Sequence, residues 1–128
     1  MKENEMKSKG TILVVDDEEL VRDIASALLS TLGYTVIVAD DGEQALKIYQ
    51  ERQNEIDVVF LDITMPKMDG KKTQQRLKQI NPQVKTVISS GYDIDINKGI
   101  YKDLGFADFI SKPYSIHKLS KVIENLIK

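Results

Sequence analysis

Short apolar runs alternate along this chain with stretches whose apolar residues recur three or four positions apart, a pattern that predicts strands and helices in turn. The first run, Thr11 to Val15 (TILVV), ends in Asp16-Asp17. Leu20, Ile24, Leu28 and Leu32 then recur every four residues, joined by Val21 and Ala25, which predicts an amphipathic helix closed by Gly33. Thr35 to Ala39 (TVIVA) is β-branched and strand-like, and Asp41 with Gln44 three residues on makes a capping pair for a helix through Ala45, Leu46 and Tyr49. The next run is the most telling. Val58 to Gly70 (VVFLDITMPKMDG) drives four apolar residues straight into Asp62, then closes a loop with Pro66, Asp69 and Gly70.

A weaker helix follows from Lys71 to Ile80, where only Leu77 and Ile80 are clearly apolar, and it ends at Asn81-Pro82. Six basic residues and one acidic between Lys67 and Lys85 give this helix a positive face, read as solvated. Val84 to Ser89 is the fourth strand and leads to Ser90-Gly91-Tyr92. Ile96, Ile100 and Leu104 mark a short helix weakened by Gly99 and stopped by Gly105. Ala107 to Ile110 is the last strand, followed by Ser111-Lys112-Pro113; Ser115 then caps a helix with Leu119, Val122, Ile123, Leu126 and Ile127 on one face.

Five strand-helix units predict an α/β fold: a five-stranded parallel sheet in the order 2-1-3-4-5 with helices on both faces, flavodoxin-like. In that order strands 1, 3 and 4 are adjacent. Their carboxyl ends carry Asp16-Asp17, Asp62 and Ser90, with Lys112 at the end of strand 5, so polar groups from four separated segments meet on the rim where such sheets hold ligands. Each feature has a plainer explanation when taken alone. An Asp closing a strand is ordinary turn chemistry, and acidic residues suit the positive start of a helix.

Composition narrows the chemistry. The length of 128 residues fits one domain, expected over 11–128 after a flexible lead-in at 1–10. A net charge of -2 gives no general pull toward nucleic acid or anionic membrane, and no apolar run nears the ~20 residues that span a bilayer, so a cytoplasmic protein is expected. There is no cysteine, and the single His117 is read as an ordinary surface residue, so any metal is held by oxygen. Three gathered carboxylates need neutralising, which points to Mg²⁺, and Mg²⁺ with Lys112 and Ser90 points to a phosphoryl group. Neither GxxxxGK[ST] nor GxGxxG is present to cradle a nucleotide. The good nucleophile left is Asp62, which implies an aspartyl phosphate. Two other classes share part of this logic: a phosphohydrolase with an aspartyl intermediate, although its usual second Asp is Thr64 here, and an interaction domain that works without phosphorylation.

The motifs ILVVDDE, FLDITMPKMDG, ISSGY and FISKPY, in this order and spacing, resemble the response-regulator receiver domains of two-component signalling, most of all those of hybrid sensor histidine kinases. The resemblance implies that Asp62 is the phosphoacceptor, that Asp17 binds Mg²⁺ directly with Asp16 as its acidic neighbour, and that the backbone carbonyl of Thr64 completes the protein ligands. Ser90 would bond the phosphoryl group and Lys112 pair with it; Phe109, three residues before the lysine, is the switch aromatic. Thr64 and Tyr92 match the family positions that border the phosphoryl group and would tune its hydrolysis, which the bulky Tyr92 is expected to slow. The implied donor is a sensor histidine kinase or a phosphotransfer domain, and the implied listener a downstream protein, reached through the fourth helix, fifth strand and fifth helix. Further expectations are a monomer or a phosphorylation-dependent dimer, no direct nucleic-acid contact, and no enzymatic turnover beyond the domain's own phosphorylation and dephosphorylation.

Overall fold

The computed structural model describes residues 8–62, 70–90, 102–111 and 113–127, with the side chain of Ser90 excepted. Five strands, β1 (Thr11–Val15), β2 (Thr35–Ala39), β3 (Val58–Asp62), β4 (Thr86–Ser90) and β5 (Asp108–Ser111), form one parallel sheet in the order β2-β1-β3-β4-β5. Four helices are described with them: α1 (Glu19–Thr31), α2 (Gly42–Arg52), α3 (Gly70–Ile80) and α4 (Ile116–Ile127). The expected order and helical cover are therefore present. Strands 4 and 5 start one or two residues later than the sequence predicts, and most of the helix expected across Ile96 to Leu104 lies outside the described residues.

The apolar runs hide a two-residue alternation, because successive side chains of a strand point to opposite faces. Leu13, Val15, Val59, Leu61 and Ile88 meet Ala45 and Tyr49 of α2 and Leu77 of α3. Ile12, Val14, Val58, Phe60 and Val87 meet Ala25 and Leu29 of α1 and Leu119 and Ile123 of α4. Each face is covered by two of the described helices, which is why the strands read as nearly continuous apolar sequence.

Local chemistry sets the helix ends. The Gln44 amide donates to Asp41 Oδ1 at 2.8 Å while Gln44 Oε1 accepts from the Asp40 amide at 2.7 Å, a reciprocal cap for α2. The Lys118 amide donates to Ser115 Oγ at 3.1 Å and starts α4. α1 ends where Gly33 turns to φ 99°, letting its amide reach Ser30 O and the Tyr34 amide reach Leu29 O at 3.0 Å each. The last residues assigned to the lead-in are hydrogen-bonded to this turn: the Lys9 amide donates to Gly33 O and the Thr35 amide to Gly10 O, both at 2.9 Å.

The reading of the first helix's buried face needs correction. Leu20 is 71% exposed and Ile24 44%, so the buried side of α1 runs through Ala25 and Leu29 instead. A strict four-residue row overshoots each 3.6-residue turn by about 40°, and Leu20 to Leu32 therefore winds off one face. The basic stretch is also smaller than its count. Lys78 Nζ lies 3.3 Å from Pro82 O, Lys85 Nζ bonds Leu126 O, and Lys71, Lys72 and Arg76 stay exposed. Among the described residues, no helix is long and apolar enough to cross a membrane.

Candidate functional site

Strand register builds the site. β1 pairs with β3 through Val15 and Leu61, so the next residues on each, Asp16 and Asp62, fall side by side at the carboxyl rim. β3 pairs with β4 through Asp62 and Ser89, and β4 with β5 through Ser90 and Ser111. The rim therefore reads Asp16-Asp17, Asp62, Ser90 and Ser111 across four adjacent strands, the place where an open parallel sheet presents polar groups to a ligand.

Asp16 is fully buried, Asp62 is 2% exposed and Asp17 is exposed. One carboxylate oxygen from each of the three lies within 4.8 Å of the others. Three like charges this close, two of them out of water, favour a bound cation. The donors are all oxygen, and the exposed Asp17 leaves one side open to water, which fits a hard divalent ion that keeps part of its hydration shell. The Asp cluster is thus chemically suited to Mg²⁺.

The loop carrying the acids is held by groups the sequence did not single out. The Glu18 amide donates to Asp16 Oδ1 at 2.9 Å, a turn that sets one carboxylate oxygen. Arg22 Nη1 donates to the backbone carbonyl of Asp16 at 2.7 Å, fixing the peptide between the two acids with a charge-assisted bond. Arg22 follows Asp16 by six residues across a turn and a helix start, so no motif spacing announces the contact. On the other side of the rim, Ser89 Oγ and Tyr114 Oη share a buried hydrogen bond, and the Tyr114 ring meets Phe60 edge-on at 6.4 Å. Tyr114 belongs to the FISKPY motif, and its anchoring was not read from it.

Of the other expected site residues, Phe109 is half-buried beside Ile88 and packs against the core cluster of α2 and α3. Thr64, Tyr92, Lys112 and the Ser90 hydroxyl lie outside the described residues. His117 is exposed on α4, in keeping with an ordinary surface residue. Asp62, Asp16 and Asp17 are brought together as the motifs imply.

Known proteins resemble this chain over most of its length. The response regulator receiver domain family matches residues 12–124. The sensor kinase CckA of Brucella abortus is 33% identical over 128 residues, covering 99% of this chain but 13% of that protein. A response regulator receiver domain protein from Clostridium thermocellum has a TM-score of 0.86 and 32% identity, covering 92% of this chain and 94% of that one. A chain of the CheX-CheY-BeF3-Mg complex from Borrelia burgdorferi has a TM-score of 0.83 and 28% identity, covering 98% of this chain and 95% of that one. The chain spans less than half the length of the first curated relatives it matches.

Proposed function

The chain belongs to the response regulator receiver domain family of two-component systems, and from that premise we propose that Asp62 accepts a phosphoryl group from the phosphohistidine of a sensor histidine kinase or phosphotransfer domain. The observation that carries this reading is the meeting of the Asp16, Asp17 and Asp62 carboxylates within 4.8 Å at the carboxyl rim. Asp62 closes the central strand β3 and is held by its register with β1 and β4, so its carboxylate starts the reaction already in place. In the transfer an Asp62 oxygen bonds to phosphorus, the donor's P–N bond breaks, and the bonding pair returns to the donor imidazole.

Asp16, Asp17, Asp62 and the backbone carbonyl of Thr64 would hold Mg²⁺, with the last assigned on the family pattern. Bound there, the ion would supply positive charge to offset that of a phosphoryl group. The family pattern likewise gives Lys112 the pairing role and Ser90 the hydroxyl that follows the phosphoryl group. Support for the metal comes from the all-oxygen donor set here and from the Mg named in the solved CheY complex. The domain changes only its own state and turns over no separate substrate.

The added charge and acceptor oxygens would draw Ser90 toward Asp62. Phe109 is half-buried at the edge of a core cluster, and lacking a hydroxyl it would transmit through shape alone. The readout surface is the expected fourth helix with β5 and α4. Incubation with labelled phosphohistidine donors tests the whole reading. Wild type is expected to take up label only with Mg²⁺, and Asp62→Asn to take up none; equal labelling of Asp62→Asn would overturn it.

A further inference from the structure

Two surfaces on opposite faces of the sheet lie outside the acid cluster itself. The first is the outer side of α1. Leu20, Asp23, Ile24 and Ala27 are all exposed and stand at i, i+3, i+4 and i+7, with exposed Glu19 beside them. This is the spacing of a helix that seats in a groove, here with an apolar stripe edged by acids. Leu20, the most exposed large apolar residue described, opens that stripe at its N-terminal end and is no part of the buried core.

The second surface is a groove of ≈ 450 Å³ between α2 and α3. Leu46 and Ile80 give it apolar walls, and Lys72 and Arg76 line it among glutamines. Lys72 and Arg76 stand four residues apart on one helix, a spacing at which like charges destabilise each other, and α3 has no acidic residue in its own sequence to offset them. Carboxylates arriving from outside would relieve that repulsion.

We propose that α1 of one copy docks in the α2–α3 groove of a second copy, with Leu20 and Ile24 against Leu46 and Ile80, and Glu19 and Asp23 opposite Lys72 and Arg76. Both acids and both bases are spaced by four residues, about 6 Å of helix, so the two charge rows match in length. The apolar walls and the chain's sequence pI of ≈ 5.4 favour this occupant over nucleic acid, which calls for a strongly basic domain. α1 packs on one face of the sheet and α2 with α3 on the other. The contact is therefore head-to-tail: each copy offers both halves, and the assembly extends with concentration. A single helix face is smaller than a standard stable interface, which makes the association weak and salt-sensitive.

Sedimentation velocity without any phosphoryl donor tests this, so its failure leaves the role of Asp62 standing. Wild type at submillimolar concentration is expected to sediment faster as concentration rises, and to return to monomer in high salt. The double variants Leu20→Ser with Ile24→Ser, and Lys72→Glu with Arg76→Glu, alter only exposed positions and are each expected to stay monomeric with unchanged melting. Mixed in equal amounts they retain one intact pairing, the first variant's groove with the second's α1, and are expected to form a discrete 1:1 dimer and nothing larger. Wild type that stays monomeric throughout, a groove variant that associates as wild type does, or a groove that binds an oligonucleotide while the chain stays monomeric would each overturn the proposal.

Discussion

Helices α1 and α3 pack on opposite faces of the sheet, and each departs from simple amphipathicity in the opposite sense. α1 shows Leu20 and Ile24 to solvent, whereas α3 buries Thr73 and Gln74 completely beside Leu77. Gln74 Nε2 donates to Leu104 O at 3.1 Å, but its Oε1 has no hydrogen-bond partner among the described residues, and neither does the buried Thr86 Oγ1. Apolar surface left in water on one side and polar atoms taken out of it on the other show that composition of a helix does not fix its depth. The sheet and the neighbouring helices choose the buried side.

The sharpest way to break this comparison is to truncate one leucine on each helix. Leu77→Ala is expected to cost about 2–5 kcal/mol, from lost burial and a residual cavity, while Leu20→Ala changes stability by less than about 0.5 kcal/mol. Urea midpoints at unchanged slope measure both, and equal losses would erase the distinction. Gln74→Ala comes next at about 1–3 kcal/mol, since it leaves the Leu104 carbonyl without its donor.

Tyr49 sharpens the same side of the sheet. Its hydroxyl accepts from Asn81 Nδ2 at 2.9 Å, just past the end of α3, so Tyr49→Phe should lose about 0.5–1.5 kcal/mol. Burial raises the Tyr49 phenol above its ordinary 10.0, although the Asn81 hydrogen bond pulls the other way. The neutral phenol is thus favoured in the folded chain: its stabilisation is complete below pH 10.0 and is lost as pH rises through the raised folded value. Tyr49→Phe is expected to flatten that alkaline limb in a pH series of melts. A change of the opposite sign belongs to Thr86→Val, which removes a buried hydroxyl without a partner among the described residues at nearly constant volume and should leave stability unchanged or raise it by less than about 1 kcal/mol.

The acids of the site were legible because each directly follows an apolar run: Val15 into Asp16-Asp17, and Leu61 into Asp62. A strand's end is a local feature, and five strand-helix units with right-handed crossovers leave few ways to order a parallel sheet. The hold of Arg22 on the Asp16 carbonyl and of Tyr114 on Ser89 was not legible: the first depends on a long side chain folding back from the helix start with no motif spacing to announce it, and the second on a loop lying across a strand it does not adjoin in sequence. The outward turn of Leu20 was hidden for a different reason: a four-residue repeat looks like one face on paper and drifts around a real helix.

The sequence by itself determined the elements, their order and the acidic character of the rim, since each rests on short-range periodicity and turn chemistry. Only the tertiary structure decided that three carboxylates from two strands come within 4.8 Å, and which sides of α1 and α3 meet the sheet. Those outcomes follow from strand register and from packing between distant segments, where hydrogen bonds and buried surface select one arrangement among several that the local pattern permits.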